Sequence, residues 1–130
     1  MTSLPENFSY SEDHEWIDTT ADAAAGSTVK VGITSVATER LGEVVYAELP
    51  EVGDAVTAGE PCGEVESTKS VSDLFAPVTG TVTAVNDAVH DDYSVINSDP
   101  FGDGWLFEVE VTEAGPLMTA AEYAEANGVA

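Results

Sequence analysis

Apolar side chains in this chain alternate with polar ones over short stretches and rarely hold a helical spacing. Thr28–Ile33 (TVKVGI) sets Val29 and Val31 against Thr28 and Lys30, the period of two that one buried sheet face produces. Glu15–Asp18, Glu43–Leu49, Ala55–Thr57, Cys62–Ser67 and Ser70–Phe75 read as further strands, cut apart by turn residues at Pro50–Asp54 and Gly59–Pro61. Residues 1–13 read as a polar lead-in and Ala21–Ser27 as a loop. Thr34 or Ser35 can cap a short helix that stops near Leu41–Gly42. Thr119 and Glu122 have capping-box spacing, which predicts a C-terminal helix over about 119–127, ended by Asn127–Gly128.

The pattern then repeats. Gly80–Val85 echoes Gly42–Ala47, Ala88–Val89 echoes Ala55–Val56, and Glu108–Glu110 echoes Glu64–Glu66. A Gly/Asp/Pro-rich loop, Asn97–Gly104, lies between the later pieces. Two similar β segments therefore flank one hairpin. This predicts a mainly β fold, a two-fold sandwich of short strands with the hairpin tip on the surface. A single domain over 1–130 is expected, with its β core over about 28–112 and no linker. Trp16 and Trp105 read as core.

Charge changes the picture most. The chain has 130 residues, with 25 acidic and 3 basic side chains, a formal net charge of −22. Three cations, Lys30, Arg40 and Lys69, cannot build a phosphate-binding patch, which excludes nucleic acid and anionic membrane surfaces as partners. Disorder is disfavoured, because 43% of the residues are hydrophobic. The acids are spread along the chain. Such a surface suits a cytosol of high salt, where the screening length falls to about 3 Å at 1 M, so a salt-loving source is one reading. Docking on basic partners is the other. Mutual repulsion between copies favours a monomer. One cysteine, Cys62, permits no internal disulfide and no Cys-rich zinc site. No apolar run approaches a membrane span, and residues 1–10 lack the basic start and apolar stretch of a signal peptide. A cytoplasmic location is expected.

Lys69 is the informative residue. It lies in Glu66–Asp73 (ESTKSVSD), between the two strands of the predicted hairpin, where a tight tip projects its side chain into water. An ordinary solvated turn lysine is the bland reading. In a chain almost stripped of lysine, one at such a tip asks for a reason.

An ordered set of motifs supplies one. Val31–Thr34 (VGIT), Leu41–Val45 (LGEVV), Glu48–Pro50 (ELP), Glu66–Asp73, Ala76–Pro77, Gly80–Val82 (GTV), Asn86, Ile96–Asn97, Asp99–Phe101 (DPF), Gly104–Leu106 (GWL) and the upstream His14–Trp16 (HEW) resemble the glycine cleavage system H proteins, at that family's spacings over nearly the whole chain. Thr68 stands where the family usually has Val, and Asp92–Ser94 replaces a usual Pro-containing run. The resemblance implies a barrel-sandwich hybrid of the lipoyl- and biotinyl-carrier type. It implies lipoic acid joined covalently to Lys69 by a lipoate ligase or lipoyltransferase. The amide removes the lysine charge and adds a long apolar arm; stem and chain together reach on the order of 14 Å, from about eleven bonded atoms. Such a carrier takes the aminomethyl group of glycine from glycine decarboxylase to a folate-dependent aminomethyltransferase, and dihydrolipoamide dehydrogenase reoxidises it. It is a shuttle and not an enzyme. The resemblance also puts Glu15 and Asp73 at an arm-holding cleft, with Asp13 and His14 beside them. A cationic amine cargo suits carboxylates, and shelter from water suits a reactive cargo. Glu66, three residues before Lys69, is a candidate for recognition by the attaching enzyme; solvated surface is the alternative for all three acids.

Rival readings are weaker. His14 or His90 as bases and Cys62 as nucleophile would make an enzyme, but Cys62 has no cationic neighbour in sequence and His14–Trp16 is no H-E-x-x-H helix. Biotin carriers set their lysine between methionines, whereas Thr68 and Ser70 flank Lys69. A lipoyl domain of another lipoate-dependent complex, or a lipoyl-relay protein, stays open as an alternative, as does a non-catalytic interaction module with a bare lysine.

Overall fold

The alternation in Thr28–Ile33 is realised as a strand, β3, with Val29 and Val31 buried and Thr28 and Lys30 exposed. The computed structural model describes residues 4–128. Before β3 come β1 (Ser9–Tyr10), β2 (Glu15–Ile17) and a four-residue helix, α1 (Ala21–Ala24). After it come α2 (Ser35–Leu41), β4 (Val44–Glu48), β5 (Ala55–Val56), β6 (Pro61–Ser67), β7 (Val71–Phe75) and β8 (Val78–Val85). Two short helices follow, α3 (Asp87–Asp91) and α4 (Ser94–Ser98), then β9 (Phe107–Ala114) and α5 (Ala120–Asn127).

The strands form two antiparallel sheets, one ordered β1-β2-β3-β9-β8-β5 and one ordered β4-β6-β7. The sequence repeat has a structural counterpart. β4 pairs with β6 in the smaller sheet as β8 pairs with β9 in the larger. Each pair holds a glycine, Gly63 or Gly80, whose missing Cβ leaves room for a neighbouring carbonyl, that of Glu48 or Glu110. The inner faces of both sheets share one core, in which Val29, Val31 and Val109 meet Val44, Ala47, Val65 and Leu74. A second cluster, Tyr10, Trp16, Val36 and Tyr123, with Phe8, Phe101 and Trp105 against it, docks α5 and the N-terminal strands beside that core. Trp16 is fully core, and its Nε1 donates to the carbonyls of Ile33 (3.0 Å) and Pro100 (2.9 Å). Trp105 is only partly buried, with the Lys30 Nζ 5.2 Å from its ring centre.

Several expectations change. Within the segment 1–13 read as a lead-in, residues 1–3 lie outside the described residues, but Ser9–Tyr10 pairs with β2 and Tyr10 is buried. Ala21–Ala24, read as loop, is helical. Ala88–Val89 belongs to α3 and not to a strand, because the Asn86 side chain accepts the Ala88 N–H and starts a helix there. α4 takes Asn97 and Ser98 out of the expected loop. Thr34 caps α2 and Thr119 with Glu122 forms the capping box of α5, as their spacing predicts.

Candidate functional site

β6 and β7 run antiparallel up to the pair Glu66–Val71, and four residues, Ser67–Ser70, close the tip. The Ser67 N–H donates to the Ser70 carbonyl at 2.8 Å. The Ser67 hydroxyl oxygen accepts the N–H groups of Lys69 and Ser70, each at 3.1 Å. This serine-built turn leaves Lys69 exposed at its end. The tip is also moored from the side, where the Thr68 N–H donates to the Glu43 carbonyl at 3.1 Å. Residues 42–44 are held in turn by Asn97 of α4. Its Nδ2 donates to the Gly42 carbonyl (2.8 Å) and its Oδ1 accepts the Val44 N–H (2.9 Å).

The lysine stem does not project straight into water. It lies over Gly42, where a Cβ would come 3.1 Å from Lys69 Cε and 3.7 Å from Nζ. Gly42 has φ 80° and ψ −153°, a conformation essentially reserved for glycine. It therefore ends α2 and leaves the space the stem occupies.

Beside this tip is a cleft of about 240 Å³ between α2, β7 and the β1–β2 turn. Ile33, Leu41, Val65 and Leu74 give it an apolar floor, and Asp13, Glu15 and Asp73 supply carboxyl groups. Glu15 is only 2% exposed. Its Oε1 accepts the Ser11 hydroxyl at 2.7 Å and its Oε2 the Phe75 N–H at 3.4 Å. Burial pushes the Glu15 carboxyl up to about 8 against these two donors, which pull the other way, so it is largely protonated at neutral pH. Asp13 and Asp73 are exposed at the rim.

A cation also faces this cleft. Arg40 Nη1 donates to His14 Nε2 at 3.0 Å. A guanidinium has no acceptor, so Nε2 is unprotonated and Nδ1 carries the imidazole proton. Nδ1 then donates to the Tyr123 hydroxyl (2.6 Å), which also shares a hydrogen bond with the Thr34 hydroxyl (2.7 Å). Burial, then the charge of Arg40, holds His14 below its ordinary range, although Asp13 opposes them. Burial pushes Tyr123 up to about 12. His14 sits at φ 72°, a left-handed backbone that turns its ring toward α5 while Glu15 enters the cleft.

Glu15 and Asp73 thus line one cleft with Asp13 and His14, while Glu66 stands apart in the register row Tyr46–Glu66–Val71. Sequence reasoning passed over Arg40, Ser11, Gly42 and Asn97 as site-forming residues. Arg40 carried a signal, being one of three basic residues. Cys62 is half-buried in β6, and burial, then the nearby Glu15, pushes its thiol up to about 12, the reverse of an activated nucleophile.

Comparison with known proteins follows the same line. The family model described as glycine cleavage H-protein matches residues 8–128. A glycine cleavage system H protein of Corynebacterium aurimucosum is 78% identical over 129 residues, covering 99% of this chain and 99% of that one. One from Corynebacterium jeikeium is 61% identical, over 98% of this chain and 99% of its own length. The crystal structure of a glycine cleavage system H protein from Mycobacterium marinum superposes with a TM-score of 0.93 at 54% identity, covering 97% of this chain and 100% of that one. The two-sheet architecture is accordingly a barrel-sandwich hybrid of the lipoyl-carrier type. An exposed lysine on a moored turn, an acid-lined cleft beside it and these matches over almost every residue place the chain in one family: it belongs to the glycine cleavage H-proteins.

Proposed function

We propose that Lys69 is the residue through which this member of the family carries lipoic acid in the glycine cleavage system. The observation that carries the reading is the placement of Lys69, exposed on a turn tied to Glu43 and next to the 240 Å³ cleft. The residues present fit the group. The apolar floor suits an alkyl chain and dithiolane, the carboxyl groups suit an amine cargo, and the bare Cα of Gly42 gives the stem its track. Attachment joins the ε-nitrogen to the carbonyl carbon of an activated lipoyl donor. The donor's acyl bond breaks and the amine gives up a proton. Once bound, the dithiolane supplies the sulfur chemistry that takes up the aminomethyl group and is returned to the disulfide by oxidation.

The chain's own residues bind and shelter. Glu15 offers a carboxyl at the cleft floor, and Asp73 and Asp13 offer carboxylates at its rim. Arg40, engaged by His14, sets a positive boundary that an amine avoids. Glu66 lies on the strand leading into the tip and serves recognition by the lipoate ligase or lipoyltransferase. The partners are then glycine decarboxylase, the aminomethyltransferase and dihydrolipoamide dehydrogenase, in the cytoplasm, with this chain as a non-catalytic component.

Intact mass of the protein from its native cell tests the reading. A lipoyl adduct that maps to Lys69 and vanishes in Lys69→Arg is expected. A bare Lys69 in every molecule, with the attachment machinery active, overturns it.

A further inference from the structure

Four large hydrophobic side chains are strongly exposed among the described residues, and three of them gather on one face beside Lys69. Val45 is 48% exposed, Tyr46 44% and Val71 56%; the fourth, Val52, stands apart in the turn after β4. Their exposure has a local cause. The β4–β6 register shifts between Val44 and Tyr46, and this bulge turns two consecutive apolar side chains, Val45 and Tyr46, toward solvent. Tyr46 stands opposite Glu66, and Glu66 opposite Val71, in the row of the sheet that adjoins the Lys69 turn. Tyr93, from the Asp92–Ser94 segment, braces Tyr46 edge-on at 5.7 Å between ring centres.

On the same outer face, two residues further along each strand, Glu48 and Glu64 stand opposite each other in a second row. Like charges set opposite one another across strands cost stability. The face thus combines a braced aromatic, two aliphatic side chains and an acidic border. That is the composition of an interface centre and rim, and it complements a basic surface with an apolar seat.

We propose that the outer face of the β4-β6-β7 sheet, centred on Tyr46 and Val71, docks the enzyme that attaches the lipoyl group. The choice of occupant follows from reach and rests on Lys69 as the attachment point. Partners served by the finished arm engage its far end, on the order of 14 Å from the backbone. The attaching enzyme meets a bare lysine, so its acyl donor must come within bonding distance of Nζ. Its surface therefore covers the residues next to the turn. Tyr46 and Val71 fill an apolar seat there, and Glu48, Glu64 and Glu66 face Lys or Arg side chains on that enzyme.

The test measures attachment of lipoate to the unmodified protein by its purified attaching enzyme, for wild type, Tyr46→Ser, Val71→Ser and the distant control Val52→Ser. We expect kcat/KM to fall about tenfold in the first two variants through KM, as for residues at an interface centre. The rate at saturation and the melting temperature should stay as in wild type, and Val52→Ser should match wild type throughout. Adding KCl should lower the wild-type kcat/KM, and Glu48→Gln with Glu64→Gln should flatten that dependence. Variants lipoylated to completion should be loaded by glycine decarboxylase at the wild-type rate. Unchanged kcat/KM in Tyr46→Ser and Val71→Ser overturns the docking face, and so does an equal loss in both reactions. Peptide mapping of the wild-type product separates the two readings. An adduct on Lys69 with equal rates in all variants sinks the docking face alone, whereas an adduct elsewhere sinks the assignment of Lys69 and the docking face with it.

Discussion

Thr68 and Glu43 lie 25 positions apart in sequence, yet a backbone hydrogen bond of 3.1 Å joins them and fixes the lysine turn to the end of α2. Asn97 supports this link from behind through its bonds to Gly42 and Val44. Asn97→Ala leaves that N–H and that carbonyl without their partner, at a cost of about 1–3 kcal/mol. Amide exchange at Thr68 and Val44 should quicken and lipoate attachment should slow. Asn97→Asp should be as damaging, because it sets a carboxylate oxygen against the Gly42 carbonyl. Hydrogen exchange read residue by residue checks both.

The elevated Glu15 carboxyl gives stability a definite pH dependence. Between the ordinary carboxylate range and about 8, the folded protein keeps a proton that the unfolded chain has released. Stability therefore falls as pH rises through that window, by at most roughly 1.4 kcal/mol per pH unit from this group. Glu15→Gln keeps the shape, cannot ionise and should flatten the slope. Urea titrations at several pH values from 5 to 8, run on both proteins, measure it.

Tyr123→Phe removes the hydroxyl that accepts a hydrogen bond from His14 Nδ1–H and shares one with Thr34. The His14 Nδ1–H then loses its partner beside the α5 contact. A loss of about 1–2 kcal/mol is expected. The defect should show first as local opening of α5, visible as faster exchange in Ala120–Asn127, with the sheet amides unchanged.

Cys62 should be nearly inert. With its thiol pushed up to about 12 by burial and then by Glu15, almost no thiolate exists at pH 8. A disulfide reagent should label the unfolded chain promptly and the native protein far more slowly. Labelling at equal rates in the two states would contradict this placement.

Added salt should stabilise this protein. A formal charge of −22 on one small fold is self-repulsive, and molar KCl shortens the screening length to about 3 Å. The melting temperature should climb with KCl and level off near 1 M. A flat or falling curve would show that the carboxylates are spaced widely enough not to repel.

Much of this was legible in the chain because local rules and burial agree there. Period-two alternation marks β3, where Val29 and Val31 face the core, and capping chemistry marks α2 and α5. The hairpin showed through its two β-rich stretches with Lys69 between them. The short helices α1, α3 and α4 were hidden, since four or five residues carry no periodicity. In α3, Asn86 decides the matter, and its cap outweighs the resemblance of Ala88–Val89 to a strand pair. Asp13, Glu15 and Asp73 reach one cleft from two distant segments, a meeting suggested by family likeness and by nothing in local spacing. Asn97 escaped notice as a support because its partners lie more than fifty positions away. Tyr46 and Val71 read as ordinary strand positions, and only a bulge and a cross-strand register set them outward together.

The near absence of lysine has a consequence for fidelity. Apart from Lys69, the chain offers an acylating reagent one other lysine amine, that of Lys30, which rides on the indole of Trp105. A misdirected acyl group has almost nowhere to land. With Lys69 as the proposed attachment point, selectivity that other substrates must obtain from elaborate discrimination is partly achieved by omission, since only one competing lysine amine is present.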